Sequence, residues 1–255
     1  MRLVKAMRAY AAPIVRLATR SCPVEGMLIS DLKRLLRSRR IRPIMPLGKV
    51  SGYRFTRFGP GGKSPHQDIA ALYLATGSRD EVRRYLVAHL EGFRPKSLAE
   101  TLFNSNGPDL EPLNDLSPLT KLHPWDPVIQ ISTGYLGQGT GTFGPVSMEN
   151  VEKECDRFTR SIDSIVRHGY RPEAYSRGFI SGYMVFLGDD YRFVVRNGLH
   201  RLGALAALGV PEFAVSLTDH QPSAVDCNDV DDWVHVRSGF CSRQIALRLA
   251  RRYFD

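Results

Sequence analysis

The residues best placed to do chemistry stand in the run Phe193-Val194-Val195-Arg196-Asn197-Gly198-Leu199-His200-Arg201, which continues through Leu202 and Leu208 to Gly209. An apolar strand meets an Asn-Gly turn, and a helix opens with His and Arg in its first turn. A helix N-terminus presents unpaired backbone N–H groups and the positive end of the dipole, which makes it a seat for phosphate. Gly198 lets an anion approach the backbone, Arg201 can hold phosphate oxygens as a fork, and His200 can add a donor. Asn197, Gly198, His200 and Arg201 are therefore the candidate binding residues. The plain alternative is that His200 and Arg201 only cap and solubilise a helix.

This run resembles the superfamily that joins the ParB partition proteins, sulfiredoxin and a group of small-molecule kinases. Their shared signature is a strand, Asp/Asn-Gly-x-His-Arg, and a helix ending in Leu-Gly. The resemblance reaches back through Ser161-Ile162 and Gly169-Tyr170 and forward to Val215, over about residues 146–217. It implies a nucleoside triphosphate bound at the turn, ATP with Mg²⁺ first among them, for phosphoryl transfer or as a switch. Leu199 stands where sulfiredoxin needs its reactive Cys, which argues against sulfinic-acid repair. The partition proteins carry Gly-Glu-Arg-Arg and a following DNA-binding domain, so DNA is not the expected partner. What remains is most similar to the small-molecule kinase branch, with Asn197 in place of its frequent Asp. Pro124-Trp125 and the tail from Trp233 to Phe240 resemble proteins encoded among bacterial surface-polysaccharide genes. The implied reaction is transfer of a phosphoryl group to a small hydroxylated metabolite or sugar. The alternative is a non-catalytic nucleotide-sensing or DNA-associated module.

Phosphoryl transfer needs a carboxylate to hold Mg²⁺ or to accept the proton of the attacking hydroxyl. Glu149, Glu152 and Glu154 fall in the first two turns of the helix predicted from Ser147, with Arg157 one turn on. Glu149 and Glu152, three apart, share a face and are the expected catalytic pair. No metal-ligand cluster is expected. Gly59-Pro60-Gly61-Gly62-Lys63-Ser64 imitates the end of G-x-x-x-x-G-K-S/T, but Arg57 stands where the first glycine belongs, so it reads as a basic loop.

The elements that must position these groups follow from periodicity and breakers. Helices are predicted from Ser30 or Asp31 to Arg39, over His66–Ala75, Ser78–Leu90, Ser147–His168, His200–Leu208 and Ser242–Tyr253. Ile180–Leu187 and Tyr191–Arg196 form a hairpin, and Val128–Ser132 and Phe213–Leu217 are strands. Residues 41–64 read as loop with one short strand near Tyr53–Phe58. Gly134, Gly137, Gly139, Gly141 and Gly144 make a loop that could act as a lid. The proline-rich stretch 104–127 is the expected boundary. The expected class is α+β: a basic arm over 1–40, a mainly helical region over 41–127, and a ParB/sulfiredoxin-like domain over 128–255.

Composition limits the alternatives. With 255 residues, 43% hydrophobic and 24% charged, the chain can bury a sizeable core, and disordered or collagen-like readings fail. Cys22, Cys155, Cys227 and Cys241 are scattered, with neither disulfide-framework nor zinc spacing. The net charge is +9, yet residues 1–40 hold ten basic and two acidic side chains, so nearly all of it belongs to the arm. Leu3, Val4, Met7, Tyr10, Ala11, Ile14, Val15 and Ala18 recur there at helical spacing. Such a helix fits an anionic membrane surface, a partner or its own domain. A cytoplasmic protein is the expectation, with attachment to the inner membrane surface through that arm as an alternative to docking on its own domain.

Overall fold

A computed structural model describes residues 21–36, 42–127, 130–131, 143–174, 178–218 and 222–255. The strands are β1 (Ser21–Pro23), β2 (Arg42–Pro46), β3 (Val50–Gly52), β4 (Thr120–Lys121), β5 (Gln130–Ile131), β6 (Ile180–Leu187), β7 (Asp190–Asn197), β8 (Glu212–Leu217) and β9 (Ala224–Asp226). The helices are α1 (Ile29–Leu36), α2 (Pro65–Thr76), α3 (Arg79–Gly92), α4 (Leu98–Phe103), α5 (Met148–His168), α6 (Leu199–Ala207), α7 (Val234–Arg237) and α8 (Arg243–Arg251).

The β6–β7 hairpin lies at the centre because its residues are apolar on both faces, as a strand covered on both sides requires. Around it the sheet runs β1-β2-β8-β6-β7-β3, mixed in direction. β8 pairs with Ile180–Gly182 of β6, and β9 takes over along Met184–Phe186. Alternation sends Ile180, Met184, Phe186, Phe193 and Val195 to one face, where they meet Ile69, Leu86, Phe158, Ile162 and Leu205 from α2, α3, α5 and α6. Tyr183, Val185 and Val194 go to the other, against Leu98, Trp125, Trp233, Ile245 and Tyr253. The class is α+β, with a helical layer over one face and a mixed aromatic and helical layer over the other.

Helix ends follow the sequence signals. Ser78, Ser147 and Ser242 cap α3, α5 and α8 through their side chains, and Gly169 ends α5. Two expectations change. Residues 41–64 are not simply loop: β2 forms despite Pro43 and Pro46, and β3 lies at Val50–Gly52 rather than within Tyr53–Phe58. Their partners, Phe213 for Met45 and Val195 for Gly52, are far away in sequence, so no local pattern announces them.

Nor does the fold divide at 104–127. Strands from both sides of that stretch share one sheet, and Leu110, Leu113, Leu122 and Trp125 are buried in the second core. Breakers make the stretch irregular, as expected, but its apolar residues still need burial. The helix expected in residues 1–20 and the loop 132–142 lie outside the described residues, as does the end of the helix expected to reach Arg39. Among the described residues, no helix is long and apolar enough to cross a membrane.

The placement of α6 depends on one glycine. A Cβ at Gly203 would stand 2.4 Å from the backbone oxygen of His66, so α6 can lie against α2 only without a side chain there. Alanine is the better helix former by about 1 kcal/mol, but the clash is with backbone and outweighs it. Gly203→Ala should cost about 1–3 kcal/mol in urea unfolding. Gly92→Ala, whose Cβ would meet nothing within 4 Å, should be neutral or stabilising.

Candidate functional site

The turn between β7 and α6 is held from several sides. Gly198 has φ +98, a left-handed conformation that glycine adopts without strain, and no side chain caps the helix. The first helical bond runs from the Leu202 N–H to the Gly198 carbonyl, so the N–H groups of Leu199, His200 and Arg201 lie outside the helix's own ladder. Asn197 Nδ2 donates to Ser181 Oγ at 3.3 Å. Arg201 is not presented as a free fork for phosphate. It is 7% exposed, and its Nη1 donates to the Gly178 carbonyl, which ties that segment to the turn.

His200 meets a carboxylate that the spacing argument passed over. Its Nε2 lies 2.9 Å from Glu154 Oε2, and Glu154 Oε1 accepts from Arg157 Nη1 at 2.5 Å. Glu154 is 3% exposed. An ionised carboxylate only accepts, so Nε2 carries the proton and the Nδ1 of a neutral ring is an acceptor. No described residue bonds Nδ1. Phe158 packs 4.3 Å from the His200 ring, between centroids, and His66 lies at 5.5 Å. Burial, seconded by His200, pushes the His66 pKa down to about 3, although Glu154 pulls the other way. His66 is therefore a neutral wall to the pair.

Glu149 and Glu152 point elsewhere. Glu149 is exposed and paired with Lys153 at 2.6 Å, which holds its carboxyl below the usual range. Glu152 joins Arg79 at 2.5 Å and Arg83 at 3.7 Å, and so ties α5 to α3. At 100° per residue, Glu154 stands well round the helix from Glu152. The shared face of Glu149 and Glu152 is real, but it is the outer one. What could have revealed Glu154 is the apolar stripe Val151-Cys155-Phe158-Ile162, which it adjoins.

On the opposite face, the same strand ends carry a group that the sequence reading missed altogether. Tyr53 follows β3, and its ring contacts Arg196 from β7, the guanidinium carbon lying 4.9 Å from the ring centre. Arg54 lies over the Phe143 ring at 4.3 Å. His123 packs edge-on to Tyr53 at 4.6 Å, bonds the Tyr183 hydroxyl at 3.3 Å, and has no partner for Nε2. Burial, then the charge of Arg196, puts the His123 pKa well below its ordinary value. The cavity beside Tyr53, His123 and Trp125 is only about 10 Å³, the size of one water. A larger open groove of about 510 Å³ lies along α8, but there Arg248 is paired with Asp109, and Arg252 donates to the Leu102 carbonyl.

Among the described residues, no group of three or more His, Cys, Asp or Glu could hold a metal ion. Glu154 spends one oxygen on Arg157 and the other on His200, so the donors at the turn do not fit a protein-held Mg²⁺. Compared with protein-family models, with curated proteins and with solved structures, the chain matches none. The site is therefore interpreted from its own geometry.

Two measurements probe that geometry. In a double-mutant cycle, Glu154→Gln and His200→Ala should show a coupling of about 1–3 kcal/mol, and additive effects would mean that the hydrogen bond contributes nothing. The second concerns pH. Unfolded, His66 and His123 bind a proton near the ordinary pKa of 6.5; folded, they resist it far below that. Stability is thus complete above pH ~6.5 and falls on acidification, by about 2 kcal/mol from His66 at pH 5, with His123 acting in the same direction. His66→Gln should remove its share of that slope between pH 6.5 and 5 in denaturant midpoints.

Proposed function

We propose that this is a nucleotide-dependent phosphotransferase of the ParB/sulfiredoxin-like type, which takes the terminal phosphoryl group of ATP to a small hydroxylated acceptor. The observation that carries this reading is the buried Glu154 carboxylate holding His200 at the head of α6. Glu154 fixes the tautomer that leaves Nδ1 basic, the arrangement a general base needs. The proton of the acceptor hydroxyl would pass to Nδ1 while its oxygen attacks the γ-phosphorus, the bond to the β-phosphate oxygen breaks, and ADP leaves. The N–H groups at the start of α6, with Gly198 leaving the backbone open, are suited to the negative charge of the triphosphate. A magnesium ion belongs here to the nucleotide, not to the chain, since Glu154 is already engaged. Arg201 acts by holding the turn, and Glu149 and Glu152 take no part.

Melting curves with ATP, CTP, GTP and UTP plus Mg²⁺ test the binding half. The preferred nucleotide at about 100 times its Kd should add about 2.7 kcal/mol of stability. Labelled ATP and a metabolite pool should yield a phosphorylated small molecule, and His200→Ala should slow that transfer about 100-fold or more. Undiminished turnover by His200→Ala would sink the assignment of the base.

A further inference from the structure

The small cavity in the aromatic layer, about 10 Å³, has His123 and Trp125 in its wall. That volume admits one molecule the size of water. His123 Nε2 and Trp125 Nε1 are both closed off from solvent, and neither has a partner among the described residues. The two rings stack with centroids 5.1 Å apart and planes 28° from parallel. Two hydrogen bonds of about 2.9 Å through one bridging molecule span a separation of that order. Most of the remaining wall is aliphatic or aromatic carbon, which offers the two nitrogens nothing. A buried polar atom without a partner costs stability, so a molecule that bonds both is favoured there.

The neighbouring hydroxyls decide which nitrogen donates. Tyr253 Oη donates to the Tyr53 carbonyl at 3.1 Å. A phenol has one proton, so in the 3.4 Å contact between Tyr183 and Tyr253 the donor is Tyr183. Tyr183 then has none left for His123, and the 3.3 Å bond between them is donated by His123 Nδ1. Burial, with the charge of Arg196, keeps the imidazole neutral, so Nε2 is bare and accepts. Trp125 Nε1 only donates. The bridging molecule must accept from one ring and donate to the other. Water does both; an ammonium ion cannot accept, and a methyl-sized group would leave both nitrogens unpaired.

We propose that this cavity is a binding site for one water molecule, which accepts from Trp125 Nε1 and donates to His123 Nε2. The hydrogen bonds then run one way, from the indole through the water, His123, Tyr183 and Tyr253 to the Tyr53 carbonyl. The water thereby ties the proline-rich stretch 104–127 to β6 and to the chain beyond α8. The site belongs to the second core, with Trp125, Tyr183 and Tyr253, and does not rest on the phosphotransferase reading.

Nitrogen-15 NMR of the whole chain tests this. The sequence has two tryptophans, Trp125 and Trp233, so Trp125→Phe identifies the Trp125 indole signal by its loss. In the wild type that N–H should show a cross-peak to water of opposite sign in laboratory-frame and rotating-frame spectra, the mark of a water that tumbles with the protein rather than of proton exchange. Long-range spectra of His123 should show a protonated Nδ1 and a bare Nε2. In His123→Phe, which removes the acceptor, the water cross-peak should be lost. No water cross-peak at that indole, one of exchange sign only, a bare Nδ1 in His123, or a cross-peak kept in His123→Phe overturns the proposal. Should Trp125→Phe not fold, Trp233→Phe makes the same assignment; should His123→Phe not fold, the wild-type spectra decide alone.

Discussion

A carboxylate cannot stay charged inside a protein unless its oxygens are bonded, and the arrangement of the helical face follows from meeting that need at Glu154. Arg157 satisfies one oxygen from the same helix; the other has to come from outside α5, and it comes from His200. That bond fixes where α5 stands against α6. Because α6 is already laid on α2 through Gly203, all three helices are placed together, with Phe158 and His66 filling the space around the imidazole. Burial keeps His66 neutral. A protonated His66 would draw on the same carboxylate that holds His200.

The central hairpin then divides the chemistry between two environments. β7 carries apolar residues to both cores and ends on two neighbouring residues of different use: Arg196, directed to the aromatic face, and Asn197, which opens the turn to His200. On the helical face the ionised groups near the turn are paired, so the imidazole sits in fixed, partly dry surroundings. On the aromatic face Tyr53, His123, Trp125, Tyr183 and Tyr253 stack, meet edge to face or share hydroxyl bonds, and this layer carries Arg196 at its margin. A buried glutamate at Glu154 and a half-buried arginine at Arg196 are expensive residues beside a hydrophobic core. Each is held by its neighbours, Glu154 by His200 and Arg157 and Arg196 by the Tyr53 ring.

The sequence revealed whatever is local. Serine caps, terminating glycines and the 3.6-residue stripe located α2, α3, α5, α6 and α8 to within a few residues, and the alternating apolar run located the hairpin. It hid whatever depends on a distant partner. β2 and β3 are short and interrupted by proline or glycine, and exist because β8 and β7 offer them edges. The choice among Glu149, Glu152 and Glu154 turned on helix rotation relative to a strand and helix some forty residues on, which acidic spacing does not encode. Arg201 looked like an exposed fork because it follows a turn; Gly178, whose carbonyl it binds, is twenty-three residues earlier.

The charge of the chain reads differently once these contacts are known. Eight of the nine net positive charges belong to residues 1–40, which leaves the remaining 215 residues close to neutral. Within that nearly neutral stretch Glu152, Asp156, Asp190 and Asp231 each meet a basic partner. Charges at a protein surface are felt only within about 8–10 Å in salt. The net charge of the whole sequence therefore does not describe the field at any one site, and the field at the His200 turn is set by its own neighbours, Glu154 and Arg157.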